Sequence, residues 1–352
     1  MAGRHTMPCM SEHSRIDVVV VGGGLAGLAG ALGLARARRS VLVVDAGQPR
    51  NAPAAHAHGY LTRDGMPPLE LLSIGRAEVM GYGGEIVEGP VTSLKRLPGG
   101  GFRVGLSDGS GWDARRLLVA TGLVDELPDI PGLRERWGRD VVHCPHCFGW
   151  EFRDAPLGVL AMGPHAAVQA LTWRQWSPDV ILFRHTAAGP IGEQMEKLTA
   201  RGIRVVAGEV AAVEVSDGRL SGVRLRSGQV VHRRALVVAP RFEARHALLD
   251  DLDVVVTEHP LGIGCQVQAD ATGRTAAPGV WVAGNLANVT AGVMQAASSG
   301  VIAATAINAD LTAEDTDRAV AAARARPLPD ARQGLLAGEG RGRASAGADA
   351  RP

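Results

Sequence analysis

Cysteine is scarce in this chain: Cys9, Cys144, Cys147 and Cys265 are the only four in 352 residues. That is too few for the disulfide framework of a secreted protein of this length, so a reducing, cytoplasmic setting is expected, where a Cys-x-x-Cys pair serves catalysis or metal binding. Charge of one sign is lacking too. With 37 basic and 36 acidic residues the formal net charge is +1, and no overall field recruits nucleic acid or an anionic membrane. Partners must therefore be recognised locally. Heptads and short-period repeats are absent. One uncharged run, residues 18 to 35 (VVVVGGGLAGLAGALGLA), is long enough to cross a bilayer and invites the reading of a signal peptide or anchor. Its six glycines, its β-branched residues confined to the start, and the strand-like SVLVVDAG that follows instead read as strand, turn, helix and second strand.

What is present is a long, apolar, glycine-rich chain: 46% hydrophobic residues and 46 glycines allow two or more domains with their own cores. The ends, 1–14 and 328–352, are polar and rich in small residues, and disordered tails are expected there. Residues 17–21 (DVVVV) form the β-branched run of a strand buried on both faces of a parallel sheet. Gly22-Gly23-Gly24-Leu25-Ala26-Gly27 then opens a helix with the spacing G-x-G-x-x-G. In this pattern Gly22 makes the tight turn, Gly24 lets backbone approach a pyrophosphate, and Gly27 allows helix and strand to pack closely. The next strand, VLVVD, ends on Asp45, near the distance at which an acid takes the ribose hydroxyls. Strand, triplet, helix, strand and acid in this order predict a dinucleotide site that also includes Ala46 and Asn51.

Two distant segments identify the dinucleotide. RRLLVATG (115–122) is an apolar strand ending at Thr121 and Gly122, and TGRTAAPGVWVAGN (272–285) is another ending at Gly284 and Asn285, before a small-residue helix. With these segments the chain resembles the two-dinucleotide-binding flavoproteins over roughly residues 15–316, whose FAD site is closed by such strands. The resemblance implies that Asn285 binds the ribityl chain where Asp is commoner. It also implies that Gln295 and Ala296 lie near the flavin ring, that Val91 in EGPVTSL reaches the adenine, and that the last helix points its positive N-terminus at the flavin. His58, in the loop after Asp45, would contact the flavin, whereas His56 reads as a surface residue.

A weaker echo of the first pattern follows in PLGVLAMGPHAAVQALTWRQW (156–176) and DVILFRH (179–185). Ala161-Met162-Gly163-Pro164-His165-Ala166 stands where G-x-G-x-x-A is expected, and alanine at the first position requires a turn without positive φ. Where NADPH enzymes of the family carry a basic cluster for the 2′-phosphate, Arg184 and His185 remain. Arginine suits paired hydrogen bonds to phosphate. Binding of NADP at Gly163, Arg184 and His185 and retention of the fold as scaffold alone both stay open.

The stretch VVHCPHCFGWEFRD (141–154) admits three chemistries. Zinc needs four ligands, yet no second CxxC exists, and His143 and His146 cannot easily join both adjacent thiolates around one ion. A thioredoxin-like fold needs a long helix directly after the pair, and Phe148-Gly149-Trp150 and the next strand follow too soon. The third is a redox disulfide. The placement of Cys144-Pro145-His146-Cys147 between two Rossmann units resembles low-molecular-weight thioredoxin reductases, and CPHCFGWE is closer to a side branch that includes dithiol oxidases of natural-product pathways. The resemblance implies that Cys147 faces the flavin while Cys144 exchanges with the substrate. Thioredoxin reductases carry an aspartate proton donor after the second cysteine, whereas this chain has Phe148. His146, His143 and Glu151 are candidates to replace it, since histidine as a class titrates near neutrality. Cys9 and Cys265 read as structural or incidental.

The expected architecture is α/β, with two Rossmann-like units. The FAD domain is built from 15–123 and 241–316, and a central NAD(P)-binding-like domain, 124–240, carries the disulfide. The expected activity is FAD-dependent dithiol/disulfide exchange, with catalytic Cys144, Cys147 and His146 and no metal. Electrons come from NAD(P)H in a reductase, or from a small-molecule dithiol in an oxygen-dependent oxidase. A flavin redox sensor without turnover is the third alternative. The partner is a thioredoxin-like protein or a small dithiol or disulfide, and the resemblance implies a homodimer.

Overall fold

The computed structural model describes residues 15–325. The tails expected to be disordered, 1–14 and 328–352, and Cys9 with them, lie outside the described residues. Two compact units divide the chain, one ending at Asn308 and one starting at Ala309. The described part of the second is the continuation of one helix, Val293–Ala325, which runs past the expected boundary at 316.

The run once readable as a membrane anchor is the strand Ile16–Val21 followed by the helix Leu25–Arg36. Val18, Val19 and Val20 are completely buried, as a β-branched strand at the centre of a parallel sheet must be. Ile16–Val21 pairs in parallel with Val41–Asp45 on one side and with Gly111–Val119 on the other. Glu85–Glu88 extends the parallel set beyond Val41–Asp45. The first half of Gly111–Val119 takes the antiparallel strand Phe102–Leu106, which in turn pairs with Val91–Arg96. Its second half takes Val280–Val282 in parallel, so a strand from far along the sequence completes the seven-stranded sheet. Among the described residues no helix is long and apolar enough to cross a membrane.

A second, wholly parallel sheet has five strands in the order Arg204–Val206, Val180–Phe183, Leu157–Leu160, Ala235–Val238, Val141–Val142. Its central strands are buried along their whole length. Helix Ala166–Trp173 packs Ala167, Ala170 and Trp173 against it. A three-stranded antiparallel sheet, Val210–Ser216, Arg219–Leu225 and Val230–His232, covers the other face of the parallel sheet, where Val213, Leu220 and Val223 form a separate core with Ile181, Phe183 and Leu236. The chain passes from the first sheet towards the second through Leu123–Glu126 and returns through Arg241–Ala244. These two strands pair antiparallel, Ala244 opposite Leu123 and Arg241 opposite Glu126, within a four-stranded sheet completed by Val256–Glu258 and Gly264–Val267. The two passages are thereby locked side by side, and the segment carrying both cysteines is held near the first sheet.

Candidate active site

A cleft of about 1240 Å³ opens at the carboxyl ends of the strands Ile16–Val21, Val41–Asp45, Gly111–Val119 and Val280–Val282. Ligands of open parallel sheets bind at such an edge, and the volume exceeds the roughly 300–1,000 Å³ of an ordinary small-molecule pocket. Gly22 leaves the first strand at φ +104°, where a side chain is strained, and a Cβ there would lie 2.5 Å from the Ala120 carbonyl oxygen. A Cβ on Gly27 would lie 1.9 Å from the Gly22 carbonyl oxygen, so only glycine lets the helix start this close to the turn. Gly24, the N-cap of the helix, has open space where its Cβ would be, with the helix N–H groups beyond it. This cradle fits a pyrophosphate on its residues alone.

Leu25, Ala26, Asp45, Ala46, Asn51, Val91, Thr121, Gly122, Gly284, Asn285, Gln295 and Ala296 line the same cleft. Asp45 packs under Gly23 and is ion-paired with Arg76 of the helix Pro68–Gly81. A carboxylate offers about four acceptor positions, so pairing still leaves it able to accept from ribose hydroxyls. The Asn285 amide donates to the Ala291 carbonyl at 2.9 Å, and its Oδ1 lies 3.4 Å from Arg50 Nη1. Gln295 accepts from the Gly292 N–H at 2.8 Å and so ties down the start of the long helix.

Cys144 and Cys147 line the same cleft and are joined in a disulfide, their Cα atoms 5.3 Å apart. Pro145 opens the one-turn helix Pro145–Phe148, where its fixed φ suits the first helical position, and Cys144 stays extended as N-cap. The backbone therefore turns back at once, with the Cys147 N–H donating to the Cys144 carbonyl at 3.2 Å. His146 also lines the cleft and meets Trp176 edge-on, with centroids 5.5 Å apart. His143 stacks on Trp137 and meets the edge of Phe242, with centroids 5.6 Å apart in each case. Burial, with the nearby Arg50 cation, pushes its pKa down to about 4. It is neutral near neutrality, which removes it from the proton donors considered above. His58 lines the cleft between two carboxylates: Nδ1 is 3.3 Å from Asp64 and Nε2 is 3.3 Å from Glu151. His56 turns its Nδ1 to the Gly65 carbonyl at 2.9 Å.

The second nucleotide-like turn lies outside this cleft. Ala161 follows Leu157–Leu160 buried and without positive φ, as an alanine there requires. The Cβ position of Gly163 is open. Arg184 is exposed after Val180–Phe183, with no ion-pair partner among the described residues. His185 is different: its Nδ1 accepts the Val210 N–H at 3.0 Å, and burial lowers its pKa. An imidazole used as an acceptor is neutral, so Arg184 is the single cation that this pair offers a 2′-phosphate. Cys265 donates to Glu243 at 2.8 Å, on the sheet of the crossing strands. Among the described residues no cluster of His, Cys, Asp or Glu is arranged to hold a metal.

Arg50 and Asp125, 75 residues apart, carry no signal in the sequence, yet they form a two-bond ion pair at 2.6 and 2.9 Å in the cleft wall. Arg50 also lies over the Phe242 ring at 5.2 Å. Asp64 was missed for the same reason: a carboxylate in a polar loop shows nothing until the fold brings it to an imidazole.

The pyridine nucleotide-disulphide oxidoreductase family matches residues 16–301. Thioredoxin reductase tcpT of Claviceps purpurea (strain 20.1) is 31% identical over 320 residues, covering 87% of this chain and 98% of that protein. The crystal structure of HlmI is 46% identical, with a TM-score of 0.83, over 90% of this chain and 98% of its own. An oxidoreductase from Agrobacterium tumefaciens is 34% identical, with a TM-score of 0.79, over 85% and 99%. Proteins of this thioredoxin reductase-like kind are FAD-dependent oxidoreductases acting on sulfur groups, and the chain belongs to the pyridine nucleotide-disulphide oxidoreductase family.

Proposed function

We propose that the protein exchanges electrons between FAD, the Cys144–Cys147 disulfide and an external dithiol or disulfide. The observation that carries this reading is the disulfide itself, set in the wall of the cleft whose glycine turn fits a dinucleotide. Gly22, Gly24 and Gly27 would hold the pyrophosphate, Asp45 the ribose, and Gly284, Asn285, Gln295 and Ala296 the flavin end. FAD, when bound, supplies a store for an electron pair. The cysteines do the exchange. An external thiolate attacks the Cys144 sulfur, the Cys144–Cys147 bond breaks, and Cys147 leaves as a thiolate; a second external thiol then displaces Cys144 and closes the new disulfide. In the reverse direction the same steps reduce a substrate disulfide. The neutral His143 and the aromatic rings about it keep one side of the pair dry.

The first reading of direction is a thioredoxin reductase-like enzyme, with NAD(P)H as reductant and a thioredoxin-like protein or small disulfide as acceptor. The sheet membership supports domain boundaries near 123 and 241, where the crossing strands pair. A second reading, a dithiol oxidase in which oxygen is the acceptor, is favoured by one observation: His185 is committed to Val210, so the nucleotide-like turn keeps a single cation. Anaerobic mixing separates them. Rapid bleaching of the flavin by NADPH supports the reductase; bleaching by dithiols without a response to NADPH supports the oxidase. If Cys144→Ser left turnover with dithiol or disulfide unchanged, both readings would fail.

A further inference from the structure

The turn that leads into the cysteine segment, GLRERWGRD (132–140), carries three arginines and disposes of them differently. Arg136, on the inner side of the one-turn helix Leu133–Arg136, is buried and bonded to Asp140 through two of its nitrogens, one of them at 2.7 Å. Arg134 and Arg139 are exposed and have no ion-pair partner among the described residues. Arg245, directly after the crossing strand Arg241–Ala244, is exposed and unpaired in the same sense. All three line a side pocket of about 310 Å³, and Arg50 is the fourth arginine in its wall. Two carboxylates are present. Asp125 is already held by Arg50, and Glu135 is exposed and pairs with none of the arginines. Four guanidinium groups against two carboxylates leave the pocket with a net charge of +2. A concave surface lined by one sign of charge concentrates ions of the other.

The side pocket opens off the cleft. Arg50, Asp125, Trp137 and Arg245 line both spaces, whereas neither the glycine turn at 22–27 nor Asp45 nor the segment 284–296 reaches the smaller one. It is therefore distinct from the cradle that fits the dinucleotide. Trp137 ties it to the chemistry: its ring stacks on His143, the residue before Cys144, with centroids 5.6 Å apart. One ring stack and one residue step separate Trp137 from Cys144, on the order of 10 Å. The walls are fixed by backbone. The Arg245 N–H donates to the Gly122 carbonyl at 3.0 Å, and Gly138 lies so close to the loop after Arg50 that a Cβ on it would be 3.0 Å from the Pro53 Cβ.

We propose that this pocket binds a carboxylate of the substrate, so that the small dithiol or disulfide exchanged at Cys144 is an acid. A guanidinium presents paired N–H donors that match a carboxylate. Arg50 and Arg245 carry positive charge along the rim shared by pocket and cleft, and a short acyl chain covers the span from there to the sulfurs. A neutral substrate would leave Arg134, Arg139 and Arg245 facing water alone.

This inference rests on the exchange reading, and its test separates the two. Dihydrolipoate and dihydrolipoamide carry the same dithiol and differ in a carboxylate against an amide. Each is mixed anaerobically with flavin-loaded full-length protein, and the rate of flavin bleaching is followed against dithiol concentration. The wild-type protein is expected to favour the acid about tenfold, through tighter binding rather than a faster limiting rate. The preference should shrink as salt is raised. Arg245→Ala, Arg139→Ala and Arg134→Ala should each bring the ratio of the two rates towards one, and Arg245→Lys, which keeps the charge without the paired donors, should retain part of it. Flavin content and melting temperature report whether each variant is folded; if one is not, the other two and the salt dependence carry the test. Equal rates with acid and amide in the wild-type protein overturn the proposal, as does a preference that survives in all three alanine variants or is indifferent to salt. Bleaching by neither dithiol overturns it too. If bleaching requires Cys144 but shows no preference for the acid, only the anion pocket falls; if bleaching survives Cys144→Ser, the exchange reading falls with it.

Discussion

The turn after Ile16–Val21 and the turn after Leu157–Leu160 are built on the same plan, a buried parallel strand leading to a helix and then to a second strand, and they differ in what a ligand would meet. At the first, Gly22 takes a positive φ against the Ala120 carbonyl, Gly27 lets the helix close down on the turn, and Asp45 waits at the end of the next strand. At the second, Ala161 sits buried in ordinary backbone, the helix is eight residues rather than twelve, and Arg184 with a neutral His185 replaces the acid. A βαβ unit keeps its hydrophobic core whatever it binds, because the core needs only apolar strands and a helix of small residues. The binding chemistry sits in three or four positions at the strand ends. Those positions can change without disturbing the fold beneath them.

The sharpest way to break the comparison is at Gly27. Its Cβ would collide with the Gly22 carbonyl at 1.9 Å, whereas a Cβ on Gly163 meets nothing within 4 Å. Gly27→Ala should abolish flavin retention and Gly163→Ala should leave it intact, as the ratio of flavin to protein absorbance after purification will tell. Equal retention in both variants would remove the first turn's special role.

A smaller effect lies beside the disulfide. The His143 pKa is depressed to about 4 in the folded protein, so between the ordinary imidazole value of about 6.5 and pH 4 the unfolded chain binds more protons. Its contribution to stability is present in full above about 6.5, falls as the pH drops through this window, and levels off below 4, a loss of about 3 kcal/mol. Denaturant unfolding at several pH values should show this slope, and His143→Phe should flatten it.

The second turn is sharpened by Arg184→Ala. Losing a charge-assisted contact to a 2′-phosphate should weaken NADPH binding about tenfold and leave NADH unaffected. Titration calorimetry with both nucleotides checks it, and a protein indifferent to both supports the oxidase direction. The least effect is expected at His185. His185→Leu leaves the Val210 N–H without its acceptor and should cost about 1 kcal/mol of stability. Nucleotide binding should not change, since the wild-type ring carries no charge there.

The first turn was readable from sequence because its constraints are local: six consecutive residues, a β-branched strand before them and an acid after. The cysteine pair was readable as chemistry for the same reason, since Pro145 and a two-residue gap fix where the sulfurs meet. Arg50 with Asp125 and His58 with Glu151 were hidden, because each pair joins segments far apart in the chain that only the fold makes neighbours. His185 was misleading in the other direction. Its residue type suggested a phosphate cation, and a backbone N–H from Val210 claims its ring.

By itself the sequence determined the two nucleotide-like units, the glycine turn at 22–27 and the disulfide spacing, all of which follow from backbone freedom and periodicity over a few residues. Tertiary structure alone decided which histidine meets carboxylates, which is held neutral and which is spent on the backbone. The reason is physical: an imidazole's charge is set by the groups within a few ångströms of it, and only folding chooses those neighbours.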